Sequence, residues 1–161
     1  MGGETVIHAS CVRVGAGAVL ILGASGTGKS SLALALMGMG AVLVADDQTI
    51  LRHAGAVLWA DCPVPIRGRI EARGIGILHA DCAGGTPVGL VVDLDRHEER
   101  RLPPPRRIRL AGVSLPLVLG PLHPGLAAGV RQFALCGLAA HDEACDSRGA
   151  MVLDDPTRQG T

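Results

Sequence analysis

Apolar positions along the chain fall into short blocks, and turn residues separate most of them. Residues 5–14 contain alternating apolar positions and predict a strand. Gly15-Ala16-Gly17 is a turn signal. Residues 18–22 are continuously apolar, which predicts a second strand buried on both faces. A glycine-rich stretch, residues 23–28, follows. Residues 29–37 are rich in Leu and Ala without a breaker and predict a helix ending near Gly38 and Gly40. Residues 41–45 return to a strand pattern that stops at Asp46-Asp47. Strand, loop, helix and strand together make one βαβ-like unit.

Beyond this unit the pattern is mostly strand and turn. Residues 49–52 and 56–59 flank His53-Ala54-Gly55 and predict a hairpin. Residues 75–78, 88–94, 108–110 and 113–119 predict further strands. Residues 98–109 are charged, and Pro103-Pro104-Pro105 stiffens what reads as an exposed crossing. Residues 125–141 predict a helix despite Gly129 and Gly137. Residues 142–161 are polar with little apolar periodicity and read as a loose tail. The expectation is one α/β domain over residues 1–141, with a mostly β central sheet, a helix after the glycine loop and a C-terminal helix.

Composition narrows the function classes. The 161 residues are 48% hydrophobic and 19% charged, which excludes global disorder and leaves room for a real core. Fifteen acidic residues balance fifteen basic ones, so a basic surface for nucleic acid is not expected. Trp59 and Phe133 are the only aromatics, too few for a base-stacking platform. The five cysteines are odd in number and form no C-x-x-C pair, so they read as reduced, mostly buried thiols of a cytoplasmic protein. The N-terminus lacks a basic segment followed by an apolar run, the mark of a signal peptide. Residues 30–45 are uncharged but too short for a span, and Pro116, Pro121 and Pro124 break residues 110–130. No membrane segment is expected.

The chemistry concentrates in Gly23-Ala24-Ser25-Gly26-Thr27-Gly28-Lys29-Ser30, a full match to G-x-x-x-x-G-K-[ST]. Glycines let the backbone form a nest whose N–H groups face phosphate oxygens. The following helix adds the partial positive charge of its N-terminus. Lys29, the only lysine among fifteen basic residues, supplies a compact cation for the β and γ phosphates. Ser30 supplies a hydroxyl for Mg²⁺. A chance match is the competing reading in a glycine-rich chain, but the flanking strand and helix give the string its required setting.

A P-loop needs an acidic residue on a neighbouring strand end. Asp46-Asp47 ends the strand after the helix. Adjacent residues of an extended strand point to opposite sides, so only one of the two is expected to face the phosphates. A solvated strand-to-loop turn is the bland alternative. His8 lies on the strand before the P-loop strand, where a lone histidine is commonly structural. Glu71 and Arg73 sit in a glycine-flanked charged loop, residues 67–76, which reads equally as solvated surface. Arg96, Arg100, Arg101, Arg106, Arg107 and Arg109 form a basic cluster in which one member can meet a phosphoryl group and most are solvated. His79-Ala80-Asp81-Cys82 resembles half a zinc site, with no second half at metal spacing.

Ordered motifs give a family resemblance over residues 5–137. His8 stands where HPr kinase/phosphorylase has the histidine of a His-Gly-Val-like segment, although here Ala9 and Ser10 follow. The P-loop comes next. Ala45-Asp46-Asp47 is similar to the family's Ala-Asp-Asp strand end. Ile70-Glu71-Ala72-Arg73-Gly74-Ile75-Gly76-Ile77 resembles its Leu-Glu-Ile-Arg-Gly-Leu-Gly-Ile signature. The resemblance implies a P-loop kinase domain of the nucleotide-dependent carboxykinase-like type, in a short form made of the catalytic domain only. It implies ATP and Mg²⁺, an HPr-like phosphocarrier protein phosphorylated on serine, and assembly as a homo-oligomer, a hexamer. By the same resemblance Asp47 is the general base, Ser30 and Glu71 hold Mg²⁺, Lys29 binds phosphates, His8 sits near the transferred group, and Arg101 is a catalytic arginine. Asp81-Cys82-Ala83-Gly84-Gly85 replaces a Leu-Phe-Gly-like segment. Gly120-Pro121-Leu122-His123-Pro124 stands in place of a Pro-Gly-Arg-Asn-like segment linked to dephosphorylation, so the phosphorylase activity stays open.

Two other readings remain. A small-metabolite kinase shares the P-loop but needs a lid, and no separate lid insertion is visible. A nucleotide-binding sensor or scaffold needs little turnover. Asp47→Asn separates a kinase from a scaffold, because only the kinase loses its output.

Overall fold

In the computed structural model the described residues are 2–139 and the two-residue strand at 152–153. Strand β1 (Glu4–Val14) turns at Gly15 into β2 (Gly17–Leu22), and helix α1 (Lys29–Gly38) leads to β3 (Val42–Ala45). Strands β4 (Gln48–Ala54) and β5 (Val57–Asp61) form the expected hairpin. Then come β6 (Arg69–Ala72), β7 (Gly76–His79), β8 (Thr86–His97), β9 (Arg106–Leu110), β10 (Val113–Gly120), helix α2 (Leu126–Cys136) and β11 (Val152–Leu153).

The main sheet runs β11-β9-β10-β8-β2-β1-β4-β5, with β3 also on β1 and β5 also on β8. β1 therefore lies between β2 and β3 and is antiparallel to both. The βαβ-like unit is real, but its crossover helix steps over a strand. β8 runs parallel to β2 and pairs Leu22 with Asp93. The long strands β1 and β8 each serve two sets of partners: β1 pairs with β4 through Glu4–His8 and with β3 through Cys11–Arg13.

Period-two alternation sends β2 side chains into two cores. Ala18, Leu20 and Leu22 pack on one face with Cys11, Leu51 and Leu58. Val19 and Ile21 pack on the other with Leu32, Ala33 and Leu36 of α1. Full burial of each Leu or Ile stabilises by about 1.5–3 kcal/mol. A strand apolar on both faces has no polar side to turn outward, so its continuous apolar run is required.

Several expectations change. The charged loop expected at 67–76 contains a strand, β6, because Ile70 and Ala72 bury one face while the charged residues project from the other; it pairs as a hairpin with β7, which matches the strand expected at 75–78. The C-terminal helix ends at Cys136, where Gly137 takes φ 73 and its N–H returns to the Phe133 carbonyl. Cys11 and Cys62 are buried, whereas Cys82 and Cys136 are exposed, so the described thiols are not mostly buried. Burial pushes the Cys11 thiol well above its ordinary range. Burial, opposed by the Arg67 charge, pushes Cys62 up to about 11. The tail reading lies outside the described residues except at β11, which adds to β9 in parallel. Among the described residues no helix is long and apolar enough to cross a membrane.

Candidate active site

The glycine loop leaves β2 and enters α1 as the sequence requires. Gly23, Gly26 and Gly28 take φ 151, 86 and 100. These are conformations that a side chain resists. Gly28 is the N-cap of α1; it offers no side-chain cap, and the first turn carries no acidic residue. The N–H groups of that turn are left for an anion. Lys29 is buried, and its Nζ donates to the Ala24 carbonyl at 3.1 Å. Thr27 Oγ1 donates to the same carbonyl at 2.8 Å. The Ala24 N–H donates to both carboxylate oxygens of Asp95 at 3.0 Å. One residue at the loop entrance, Ala24, is thus held through both its N–H and its carbonyl.

Asp46 is buried beside the glycine loop. Its Oδ1 accepts hydrogen bonds from Ser30 Oγ and Ser10 Oγ, both at 2.7 Å, and its Oδ2 accepts the Glu71 N–H at 3.0 Å. Asp47 turns back beside it. Its φ is 68, and the Gln48 N–H closes a three-residue turn onto the Asp46 carbonyl at 2.8 Å. That geometry brings Asp47 Oδ1 to 2.7 Å from His8 Nε2. Of the pair, Asp47 lines the glycine-loop cavity and Asp46 is buried behind it against Ser30, and the extended conformation assumed for the pair does not persist at Asp47. An extended strand separates neighbouring side chains, but a left-handed residue breaks the alternation. The conformation costs about 1–3 kcal/mol for a non-glycine residue, so its surroundings must hold it.

His8, Lys29, Ser30, Asp47, Glu71 and Arg73 all line one cavity of about 280 Å³ with Ser25 to Gly28, Ser31 and Leu122. The His8 and Asp47 side chains are 47% and 69% exposed, so this end of the cavity is open to solvent. Arg101 does not line it; it lies in the exposed segment between β8 and β9. Other arginines of the basic cluster have structural partners. Arg106 binds Glu98 with two hydrogen bonds, Arg107 binds Ser114, and Arg96 pairs with Asp93. The Arg106 guanidinium holds the Glu98 carboxyl below its usual range. Asp95 and Ser10 were not expected as site residues, and Asp46 was expected only as the alternative to Asp47. Asp95 had a faint signal, the apolar run Leu90-Val91-Val92 ending in Asp93-Leu94-Asp95.

Among the described residues no three His, Cys, Asp or Glu side chains gather into a cage for a metal ion. The oxygen set of Ser30 and Asp46, with Glu71 on the cavity wall, nevertheless suits Mg²⁺. That hard cation keeps several waters and shares phosphate oxygens, so few protein ligands suffice. Ser30 can donate its proton to Asp46 and keep oxygen lone pairs for the ion.

A glycine loop between a buried parallel strand and an uncapped helix, with acidic residues at neighbouring strand ends, is the setting that the G-x-x-x-x-G-K-[ST] string requires. The comparisons narrow this. Residues 1–100 match the family described as HPr Serine kinase C-terminal domain, and the chain belongs to that family. It is 35% identical over 131 residues to an HPr kinase/phosphorylase of Caldicellulosiruptor bescii, covering 73% of this chain and 42% of the relative. It is 35% identical over 159 residues to one from an Azoarcus species, covering 85% of this chain and 51% of the relative. The chain thus spans about half the length of the curated relatives it matches. The solved structure of the HPr(Ser) kinase/phosphatase from Coxiella burnetii superposes with a TM-score of 0.70 at 30% identity. That match covers 81% of this chain and 94% of the other. The mixed α/β fold with a large central sheet and two helices is the one expected.

Proposed function

We propose that the chain is an ATP-dependent protein-serine kinase whose acceptor is an HPr-like phosphocarrier protein. The observation that carries this reading is the His8–Asp47 pair at the open end of the glycine-loop cavity. A carboxylate open to solvent suits a serine presented on another protein better than a metabolite that must be enclosed.

In this reading Lys29 and the loop N–H groups bind and orient the phosphates. Ser30, Asp46 and Glu71 would hold Mg²⁺, which would supply neutralisation of phosphate charge. Asp47 accepts the proton of the serine hydroxyl as its oxygen bonds to the γ phosphorus and the bond to the bridging oxygen of ADP breaks. His8 fixes the Asp47 carboxylate and stands beside the transferred group. Arg101 enters through the family resemblance, and Arg101→Ala tests it. The reverse reaction, attack of inorganic phosphate on phosphoserine, uses Asp47 as the proton donor. We propose that it is slow here, since the segment Gly120 to Pro124 lacks the pattern linked to it and brings Leu122 to the cavity. A cytoplasmic homo-oligomer, a hexamer by resemblance, completes the reading.

The test incubates the protein with labelled ATP, Mg²⁺ and the HPr-like proteins of its source, then maps the modified residue. Asp47→Asn is expected to lose about 10²–10⁴-fold in transfer while keeping nucleotide binding. Phosphate-dependent release from the phosphorylated product is measured on the same preparation. No label on serine, or a wild-type rate in Asp47→Asn, overturns the proposal.

A further inference from the structure

Ser10 is a polar residue on β1 with no exposed surface. Strand alternation and an apolar core make an apolar residue the default at such a position. Its hydroxyl is instead engaged both as donor and as acceptor. Oγ donates to Asp46 Oδ1 at 2.7 Å and accepts the Asp47 N–H at 3.5 Å. A hydroxyl has one donor and two acceptor sites, so one atom reaches the side chain of the first aspartate and the backbone of the second. The second contact is long and the first short, which makes the Asp46 carboxylate the stronger attachment.

The two contacts bear on two different parts of the site. Asp46 Oδ1 is the same oxygen that Ser30 Oγ reaches at 2.7 Å. Loss of Ser10 leaves that carboxylate with Ser30 on one oxygen and the Glu71 N–H on the other. It can then rotate about its own bond and follow Ser30 rather than direct it. Asp47 holds φ 68 and is the residue that meets His8. An N–H anchored to β1 opposes relaxation of that residue to an extended conformation, which would turn its carboxylate away.

We infer that Ser10 is a positioning residue whose buried hydroxyl sets the Asp46 carboxylate against Ser30 and fastens the turn that brings Asp47 to His8. The inference deepens the kinase reading and rests on it for the transfer measurement. Its binding measurement is independent of which molecule accepts the phosphate.

The experiment compares wild type, Ser10→Ala and Ser10→Thr as full chains. ATP binding is followed by calorimetry across a Mg²⁺ series, and kcat and KM are measured with the HPr-like acceptor. Ser10→Ala is expected to raise the Mg²⁺ needed for half-maximal ATP binding about fivefold and to lower kcat about tenfold. KM for the acceptor is expected to change less than about twofold, since Ser10 touches no cavity surface. Ser10→Thr keeps a hydroxyl on the same carbon in a strand that accepts β-branched residues, and is expected to restore both quantities. In an Asp46→Asn background Ser10→Ala is expected to add less than about twofold, because the interaction is already altered. If Ser10→Ala does not fold, Ser10→Cys, a weak donor of similar shape, replaces it with the same expectations.

A Ser10→Ala protein with wild-type Mg²⁺ dependence and kcat but a lower melting temperature overturns the inference and makes Ser10 a packing residue. If wild type labels no HPr-like protein, the kinase proposal fails. The Mg²⁺ series on ATP binding then still decides Ser10.

Discussion

Two strained stretches of backbone flank the same cavity, and they are stabilised differently. The glycine loop carries its left-handed conformations on glycines. A Cβ at Gly28 would come within 2.5 Å of Leu122 Cδ2, and one at Gly23 would strike the Thr27 hydroxyl. Glycine there meets both a backbone need and a space need. The Asp46–Asp47 turn has no such freedom, since an aspartate stands where φ is 68. Its conformation is imposed by neighbours: the Gln48 N–H on the Asp46 carbonyl, the Ala9 N–H on the Asp47 carbonyl, and the Ser10 hydroxyl. A phosphate-binding loop that uses backbone groups can be built of glycine. A site that needs a side chain in a strained position must draw on contacts made elsewhere in the fold.

This contrast can be broken at the loop first. Lys29→Ala removes the only lysine of the chain, and phosphoryl transfer is expected to fall about 10²–10³-fold, measured with labelled ATP. Lys29→Arg is expected to rescue little, because a planar guanidinium does not replace a compact ammonium in a tight nest. Transfer at the wild-type rate in the alanine variant removes the loop from the mechanism. Gly28→Ala comes next. It places a side chain at φ 100 against Leu122, so stability is expected to drop by about 1–3 kcal/mol in urea, with weakened ATP binding. Unchanged values for both would mean that the loop needs glycine for neither reason.

The acidic turn gives a smaller effect of opposite kind. Asp47→Gly is expected to be more stable than Asp47→Ala by about 1–2 kcal/mol, since only glycine takes this conformation freely. Both are expected to lose transfer, so stability and activity separate at one residue. Equal stability of the two variants would show that the turn opens when the carboxylate goes. The mildest change is Asp95→Asn, which keeps one oxygen for the Ala24 N–H and removes the charge. KM for ATP is expected to shift about threefold or less, and Asp95→Ala more, since a neutral acceptor keeps roughly half of a charge-assisted bond. A larger loss in Asn than in Ala contradicts the role given to that contact.

How much of this was legible depended on the range of the forces involved. The strands β1, β2, β3, β4, β5, β8, β9 and β10 followed from short-range apolar patterning, because the two faces of a strand are written into alternate residues. β6 was missed because its charged face masks Ile70 and Ala72, whose burial depends on what lies beneath them. The glycine loop was legible whole, since its backbone needs, its cation and its hydroxyl are contiguous. Asp47 was legible as one of an acidic pair, His8 and Glu71 only as weak candidates, and the roles of all three came through ordered motifs and their resemblance to a family.

The chain's own order of residues determined a mixed α/β domain, a loop able to cradle phosphate, and a set of acidic and basic groups around it. The tertiary structure alone decided which of them meet. It joined Ala24 to Asp95 across 71 positions and Ser10 to Asp46 across 36, and it left Arg101 off the cavity. It also bent Asp47 against the alternation that its strand predicts. Local propensity acts between near neighbours, whereas hydrogen bonds at a site act between groups that only strand pairing brings together, and that pairing is settled by the burial of the whole core.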